Sequence, residues 1–135
     1  NEAIARYGLK QADAMTVLMT VGGLDIAGLV GVCIGGALFH LPVVLDGVIS
    51  LTAELLAERL LPGTKSCFIA SHKGKEQACA KLIEELDLHP VIEADLALGE
   101  GTGAVMMMGL LDMAAAVYND RTTFGDIRTE QYKRY

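Results

Sequence analysis

Two short apolar runs, each ending in polar residues, constrain the fold of this chain more than any other feature. Residues 41–45 read LPVVL and are followed by Asp46 and Gly47, while residues 66–70 read SCFIA and are followed by a polar loop at 71–74. Apolar runs of this length without polar alternation are typical of parallel strands that are buried on both faces. Because parallel strands need long crossover connections, the two runs predict an α/β fold.

Helical patterns surround these two runs. After a helical turn at 2–7, the predicted helices are 10–20, 24–39, 48–60, 75–86 and 101–119, and residues 89–95 are a candidate third strand. The order α-α-β-α-β-α-β-α indicates a Rossmann-like, three-layer domain with a parallel sheet and buried apolar helices. We expect residues 1–135 to form a single α/β unit, with residues 120–135 as a solvated tail.

The composition is apolar for a chain of 135 residues. Hydrophobic residues make up 52% and charged residues 21%, with 15 glycines, six methionines and no tryptophan. This composition favours a sizeable core, and it also predicts an apolar surface that a partner covers. We therefore predict a homodimer or another partner that covers this surface. The net charge of −6 and the lack of a basic stripe argue against nucleic-acid binding.

A membrane span, a signal peptide and a metal site are not expected. The apolar stretch 26–39 is shorter than the roughly 20 residues that a span needs, and Asp25 and His40 bracket it. Residues 1–14 do not resemble a signal peptide. Since the three cysteines form no CxxC pair, we predict reduced thiols and a cytoplasmic location. The histidines lack partners at metal-ligand spacing, so no metal and no cofactor is predicted.

Polar patches follow all three predicted strands. The carboxyl ends of parallel strands lie at one edge of a sheet, which is where α/β folds bind their ligands. We therefore predict one site, formed by Asp46, Gly47, Ser71, His72, Lys73, Gly74, Leu98, Gly99, Glu100 and Gly101.

Glu100 allows two interpretations from its chemistry alone. A carboxylate before a helix is stabilised by the helix dipole by about 0.3–1 kcal/mol, and Thr102 could cap the helix by itself. Alternatively, Glu100 is a general base, and its flanking glycines let another molecule approach closely. Asp46 likewise could bind ligand or cap the helix that follows it, and Asp25 is predicted to cap helix 24–39.

Three ordered motifs carry a family resemblance. VGGLDIAGLVG at 21–31, LPVVLDGVIS at 41–50 and LGEGTGA at 98–104 resemble the nicotinate-nucleotide–dimethylbenzimidazole phosphoribosyltransferase family. The resemblance extends over residues 15–118. Because members of the family are well over twice this length, the chain resembles their C-terminal part. The resemblance implies association with the missing N-terminal part, and the chain is predicted to be incomplete for activity alone.

The resemblance implies a reaction and a base. The family transfers ribose 5-phosphate from nicotinate mononucleotide to 5,6-dimethylbenzimidazole, giving alpha-ribazole phosphate for the lower ligand of cobalamin. Glu100 matches the catalytic base, which would take the ring N–H proton as the other nitrogen attacks the sugar. Nicotinate leaves from a pyridinium, so no acid is implied.

The resemblance also implies substrate contacts. Asp46 and Gly47 match the pair beside the ribose, Leu98 matches a residue packing on the aromatic base, and the loop 71–74 matches one near the phosphate. The chain departs from the family at Gly74, where serine is frequent, and at Ala97, where arginine is frequent. The alternatives are the same chemistry on another base or a phenol, a non-catalytic nucleotide-binding subunit, or an inactive fragment.

Overall fold

The computed structural model describes residues 2–97, 99–120, 122–123, 125–128, 130 and 133. The α-helices are α1 (Glu2–Tyr7), α2 (Ala14–Val21), α3 (Leu24–Leu38), α4 (Val48–Leu60), α5 (Gln77–Glu85) and α6 (Thr102–Asn119). The strands are β1 (Val43–Leu45) and β2 (Phe68–Ala70), and 3-10 helices lie at Leu9–Gln11 and Thr64–Cys67. The predicted helices and the first two predicted strands are confirmed, with their ends shifted by a few residues.

The helix predicted at 10–20 begins later than expected. Asp13 is the N-cap of α2, because its carboxylate accepts hydrogen bonds from the Thr16 N–H at 2.8 Å and the Thr16 hydroxyl at 3.1 Å. A side chain that satisfies a free N–H in this way fixes where a helix starts. Residues Leu9–Gln11 form a separate 3-10 turn before it.

β1 and β2 pair in parallel, with Val44 opposite Ile69, and α4 makes the crossover between them. The candidate third strand is present as an isolated parallel bridge: the Ile92 N–H donates to Ser71 O at 3.0 Å. Pro90, which has no N–H, and Asp95, which is left-handed, limit how far this pairing extends. The three predicted strand ends therefore lie side by side.

The core lies between α3, α4 and the sheet. Its buried members are Val30, Cys33, Leu45, Leu51, Ala53, Ala57, Phe68, Cys79 and Leu86. Gly36 lets the end of α3 lie close to β1, because a Cβ there would come within 2.5 Å of Val43 Cγ2. This core confirms the α/β class with a parallel sheet.

The expected burial of the apolar helices is wrong for much of α3 and α6. Of the α3 residues, all of which the structure describes, Val30, Cys33 and Gly36 are buried. In α6, which is also fully described, Gly103 and Met107 are buried. The remaining apolar side chains of the two helices are partly or largely exposed, since the described elements cover one side of each helix.

Asp25 is not the N-cap of α3, contrary to the sequence prediction. Gly23 occupies the N-cap position, and Asp25 lies in the first turn, where the helix dipole favours a carboxylate. The described residues of the predicted tail, 120, 122–123, 125–128, 130 and 133, include no buried side chain. Among the residues that the structure describes, no helix is both long and apolar enough to cross a membrane.

Candidate active site

A cavity of about 380 Å³ lies where β1 and β2 end. The end of β1, the first turn of α4, the residues after β2 and the turn before α6 form its walls. Its lining residues are Leu29, Asp46, Gly47, Val48, Ile49, Ser50, His72, Glu76, Leu96, Ala97, Gly99, Glu100 and Gly101.

Glu100 is presented by a left-handed turn. Gly99, Glu100 and Gly101 have φ values of 76°, 55° and 77°. The Thr102 N–H closes the turn by donating to Gly99 O at 3.1 Å. Glycine adopts this conformation freely, whereas another L-residue is strained by about 1–2 kcal/mol. The glycines therefore meet a backbone requirement, and Glu100 is held in a strained conformation with its side chain exposed at the cavity.

Asp46 caps α6. Its Oδ2 accepts a hydrogen bond from the Gly101 N–H at 3.2 Å, and its Oδ1 accepts one from the Ala104 N–H at 3.1 Å. Thr102 does not act as the cap, because it is the first residue of α6 and its hydroxyl donates to Gly99 O at 2.7 Å. A carboxylate that accepts N–H groups at a helix N-terminus is favourable by hydrogen bonding and by the helix dipole.

Asp46 does not cap the helix that follows its own strand. The N-cap of α4 is Gly47, for which no described side chain provides a cap. Ser50 links the end of β1 to the first turn of α4, because its hydroxyl accepts a hydrogen bond from the Asp46 N–H and donates one to Gly47 O, both at 2.9 Å. The alternative in which Asp46 is the cap of α4 is therefore wrong.

His72 is buried beneath the start of α6. Its Nδ1 lies 3.0 Å from Ser71 Oγ and 4.0 Å from Asp46 Oδ1. In a Ser-His-Asp catalytic triad, the histidine contacts the serine through one ring nitrogen and the aspartate through the other. Here Ser71 and Asp46 both lie nearest to Nδ1, so the three residues do not form a triad. A Cβ on Gly103 would overlap the His72 ring, and the glycine thus allows α6 to lie directly over it. Sequence reasoning missed Gly103, although a glycine in a first helical turn is itself a signal of close approach.

Lys73 and Gly74 are not among the residues that line this cavity. Lys73 Nζ contacts Glu93 Oε1 at 2.8 Å on the surface, and this ion pair raises the pKa of Lys73 and lowers that of Glu93. A Cβ on Gly74 would lie 2.9 Å from Oε2 of Glu76, which does line the cavity, and 3.1 Å from Cys79 Sγ on α5. Of the predicted site residues, the structure gathers Asp46, Gly47, His72, Gly99, Glu100 and Gly101 around the cavity. Ser71 is buried below the cavity, where its hydroxyl donates a hydrogen bond to Asp46 O. Leu98 lies outside the described residues.

The described residues contain no group of three or more His, Cys, Asp or Glu side chains that could hold a metal ion. The chemical groups that the described cavity offers are carboxylates, one imidazole, one hydroxyl and backbone amides. This set can bind hydroxyl groups and can accept a proton.

A parallel α/β unit with a carboxylate-bearing cavity at its strand ends has the architecture of enzymes that bind small molecules at this edge. Comparison with known proteins defines the class more narrowly, since a family model described as phosphoribosyltransferase matches residues 1–128. The chain belongs to this phosphoribosyltransferase family.

Two curated relatives, both named nicotinate-nucleotide–dimethylbenzimidazole phosphoribosyltransferase, are similar to it. The protein of Ruminiclostridium cellulolyticum is 43% identical over 122 residues, which are 90% of this chain and 35% of the relative. The protein of Clostridium acetobutylicum is 42% identical over 132 residues, which are 98% of this chain and 38% of the relative.

A comparison with solved structures supports the same family. The crystal structure of the enzyme of the same name from Thermus thermophilus matches with a TM-score of 0.85 and 35% identity, covering 96% of this chain and 39% of that one. The family resemblance inferred from the three motifs is thus confirmed. The chain spans between 35% and 39% of the length of these relatives.

Proposed function

We propose that this chain carries the catalytic base of an enzyme that transfers ribose 5-phosphate from nicotinate mononucleotide to 5,6-dimethylbenzimidazole. The product would be alpha-ribazole phosphate, for the lower ligand of cobalamin. The names of the relatives support these substrates. The observation that carries the proposal is the left-handed turn that presents Glu100 at a cavity shared with Asp46 and His72.

The reaction needs one base. One ring nitrogen of the acceptor attacks C1′ of the ribose, and the bond from C1′ to the nicotinate nitrogen breaks. The electron pair of that bond neutralises the pyridinium, so nicotinate leaves without receiving a proton. Glu100 accepts the proton from the second ring nitrogen, which makes the attacking heterocycle a better nucleophile.

Glu100 suits this role better than Asp46 does. Each Asp46 oxygen already accepts a backbone N–H, whereas within the described residues no hydrogen bond or ion pair engages the Glu100 carboxylate. The Glu100 side chain is also exposed at the cavity, so an acceptor can reach it. We assign sugar contacts to Asp46 and Gly47 and packing on the aromatic base to Leu98.

The phosphate contacts are the least complete part of the site. Lys73 is engaged by Glu93, and Gly74 and Ala97 offer no side-chain donor where relatives were expected to have serine and arginine. We infer that the loop 71–74 lies near the phosphate and that the rest of the enzyme supplies further donors.

The apolar surfaces support association. Val105, Val117 and Tyr118 on α6 are 72%, 77% and 89% exposed, and Leu24 at the start of α3 is 94% exposed. We propose that the remainder of the enzyme and a second copy cover these surfaces, and that the enzyme is a cytoplasmic homodimer. Sedimentation of the complete enzyme as a monomer at micromolar concentration would contradict the dimer.

The test uses a chimera in which this chain replaces the matching segment of the Ruminiclostridium cellulolyticum relative. We expect it to release nicotinate from nicotinate mononucleotide with dimethylbenzimidazole, and we expect Glu100→Gln to lower kcat by about 10²–10⁴-fold. The control Glu84→Gln makes the same change at an exposed carboxylate on α5 and should leave turnover within about threefold.

The outcomes separate the alternatives. Unchanged turnover in Glu100→Gln would rule out the assigned base. A chimera that binds nicotinate mononucleotide without turnover would favour the non-catalytic subunit. Product masses with other bases and phenols would show whether the acceptor differs from dimethylbenzimidazole.

A further inference from the structure

We infer that Asp46 is a positioning residue for Glu100, a role that rests on the proposed function of Glu100 as the base. The family resemblance implies a ribose contact for Asp46. The geometry points to a second task, which is to hold the turn at 99–101 and the start of α6 in place over the cavity.

The two hydrogen bonds of Asp46 reach both sides of the helix start. One carboxylate oxygen binds the N–H of Gly101, the residue directly after Glu100, and the other binds the N–H of Ala104 in the first turn of α6. Hydrogen bonds to an ionised carboxylate are about twice as strong as neutral ones, and two of them restrict the orientation of the bound segment. The position of Glu100 is therefore linked to that of Asp46.

Asp46 is in turn fixed to the sheet. It follows β1 directly, its N–H donates to Ser50 Oγ at 2.9 Å, and its carbonyl oxygen accepts from Ser71 Oγ at 3.3 Å. Its side chain is 21% exposed. These contacts fix the Asp46 backbone to the sheet. The hydrogen bonds of its carboxylate then fix the turn that bears Glu100 relative to the sheet.

α6 has little else to hold its start within the described structure. Of its residues, Gly103 and Met107 are buried, and Gly103 rests on the His72 ring, which is itself within 4.0 Å of Asp46. Without the carboxylate, the N–H groups of Gly101 and Ala104 lose their partner and the turn gains freedom. A displacement of about 1 Å at a catalytic group can lower the rate by about 10²-fold.

Kinetics distinguish this role from a ribose contact. An interaction made equally with bound substrate and transition state changes KM, whereas misplacement of the base changes kcat. Misplacement also has no effect once the base has been removed. Asp46→Asn is the suitable variant, because the amide keeps one acceptor oxygen and turns its NH₂ group toward the second N–H.

The experiment measures kcat and KM for nicotinate mononucleotide in the chimera, for Asp46→Asn alone and combined with Glu100→Ala. We expect kcat to fall about 10–100-fold with KM within about threefold, and we expect no further fall when Asp46→Asn is added to Glu100→Ala. A rise in KM with unchanged kcat, or the same fold loss in both backgrounds, would overturn the inference. The control Glu84→Gln on α5 should combine additively with Glu100→Ala.

Hydrogen exchange gives a readout that does not depend on turnover. In Asp46→Asn we expect exchange in the peptide 99–107 to become about 10-fold faster, while the peptide 48–60 in α4 stays unchanged. Unchanged exchange at 99–107 would also overturn the inference. If Glu100→Ala leaves turnover unchanged, the proposed base is wrong, and the exchange result still decides whether Asp46 holds the turn. If exchange rises throughout α4 as well, the role of Asp46 is general stabilisation and the inference fails.

Discussion

Glu54 and Glu100 are the same residue type in opposite settings. Glu54 lies on α4, is 0% exposed, and its Oε2 has no hydrogen-bond partner within the described residues. Burial, together with the nearby charge of Glu58, raises the pKa of Glu54 to about 7. Glu100 is exposed on a strained turn at the cavity. Glu54 has a raised pKa and is enclosed in the core, whereas Glu100 is accessible from the cavity and is held by its turn.

The difference shows that a perturbed carboxyl group is not by itself a sign of catalysis. Strongly shifted pKa values cluster at active sites, but burial in a core produces the same shift. Glu54 is surrounded by Cys33, whose thiol pKa burial raises to about 12, and by Thr64, whose hydroxyl lies 3.4 Å from Glu54 Oε1. Accessibility to a substrate, and not a shifted pKa, is therefore the reason for proposing Glu100 as the base.

The largest effect that tests this comparison is the pH dependence of stability. Glu54 binds its proton more tightly in the folded chain, so its contribution is complete below about pH 4.5, the ordinary pKa, and is lost as pH rises through about 7. We expect the free energy of unfolding to fall by about 3 kcal/mol between these two pH values, at about 1.36 kcal/mol per pKa unit. Urea denaturation from pH 4.5 to 8 should show this loss relative to Glu54→Gln.

Glu100→Gln is the matched control for that measurement. It makes the same Glu-to-Gln change at an exposed position beside the cavity, so that Glu54→Gln is the variant that removes the buried carboxyl group. The assignment of Glu54 as a buried acid is wrong if the stability of Glu54→Gln follows the same pH profile as the unchanged chain. Carboxylates that do not interact with Glu54 are present in both proteins and cancel in the difference. Glu58 and Cys33 interact with Glu54, so their response to its removal is part of the measured difference.

The sequence predicted which edge of the sheet bears the cavity because strand ends follow from local patterns. Apolar runs that end at Asp46 and at Ser71, together with parallel pairing, were sufficient to bring Asp46 and His72 to one edge. Glu100 was placed there by the third predicted strand, which the structure shows as a single bridge at Ile92. The order of the elements and the bounds of α4 were predicted for the same reason.

Other features depend on contacts that are distant in sequence. Asp46 reaches amides 55 and 58 residues away, and no local pattern around Asp46 indicates which helix it caps. Lys73 points away because the adjoining backbone pairs with Ile92. The apolar composition of α6 predicted burial, but composition does not reveal whether the covering surface lies within the same 135 residues.

A smaller effect should follow from closing the space above His72. Gly103→Ala places a methyl group on the ring, so we expect it to destabilise the chain by about 1–3 kcal/mol through overpacking. On the same helix, a Cβ on Gly109 would meet no described atom within 4 Å, and Gly109→Ala should stabilise the chain by about 0.5–1 kcal/mol. Denaturation midpoints measure both changes. Equal effects at the two positions would contradict the close packing of α6 on His72.

The smallest effect concerns the strain at Glu100 itself. Because its φ is 55°, glycine should be tolerated there better than alanine, and we expect Glu100→Gly to be more stable than Glu100→Ala by about 0.5–1 kcal/mol. At Glu84, an exposed position inside α5, the order should reverse, with alanine better by about 1 kcal/mol. Urea denaturation of the four variants gives both differences. If alanine is also preferred at position 100, the turn is not left-handed in solution, and the accessible glutamate loses the backbone feature that distinguishes it from Glu54. The expected order instead means that the chain keeps a residue that weakens its fold where glycine would be more stable, as is common for residues retained for their chemistry.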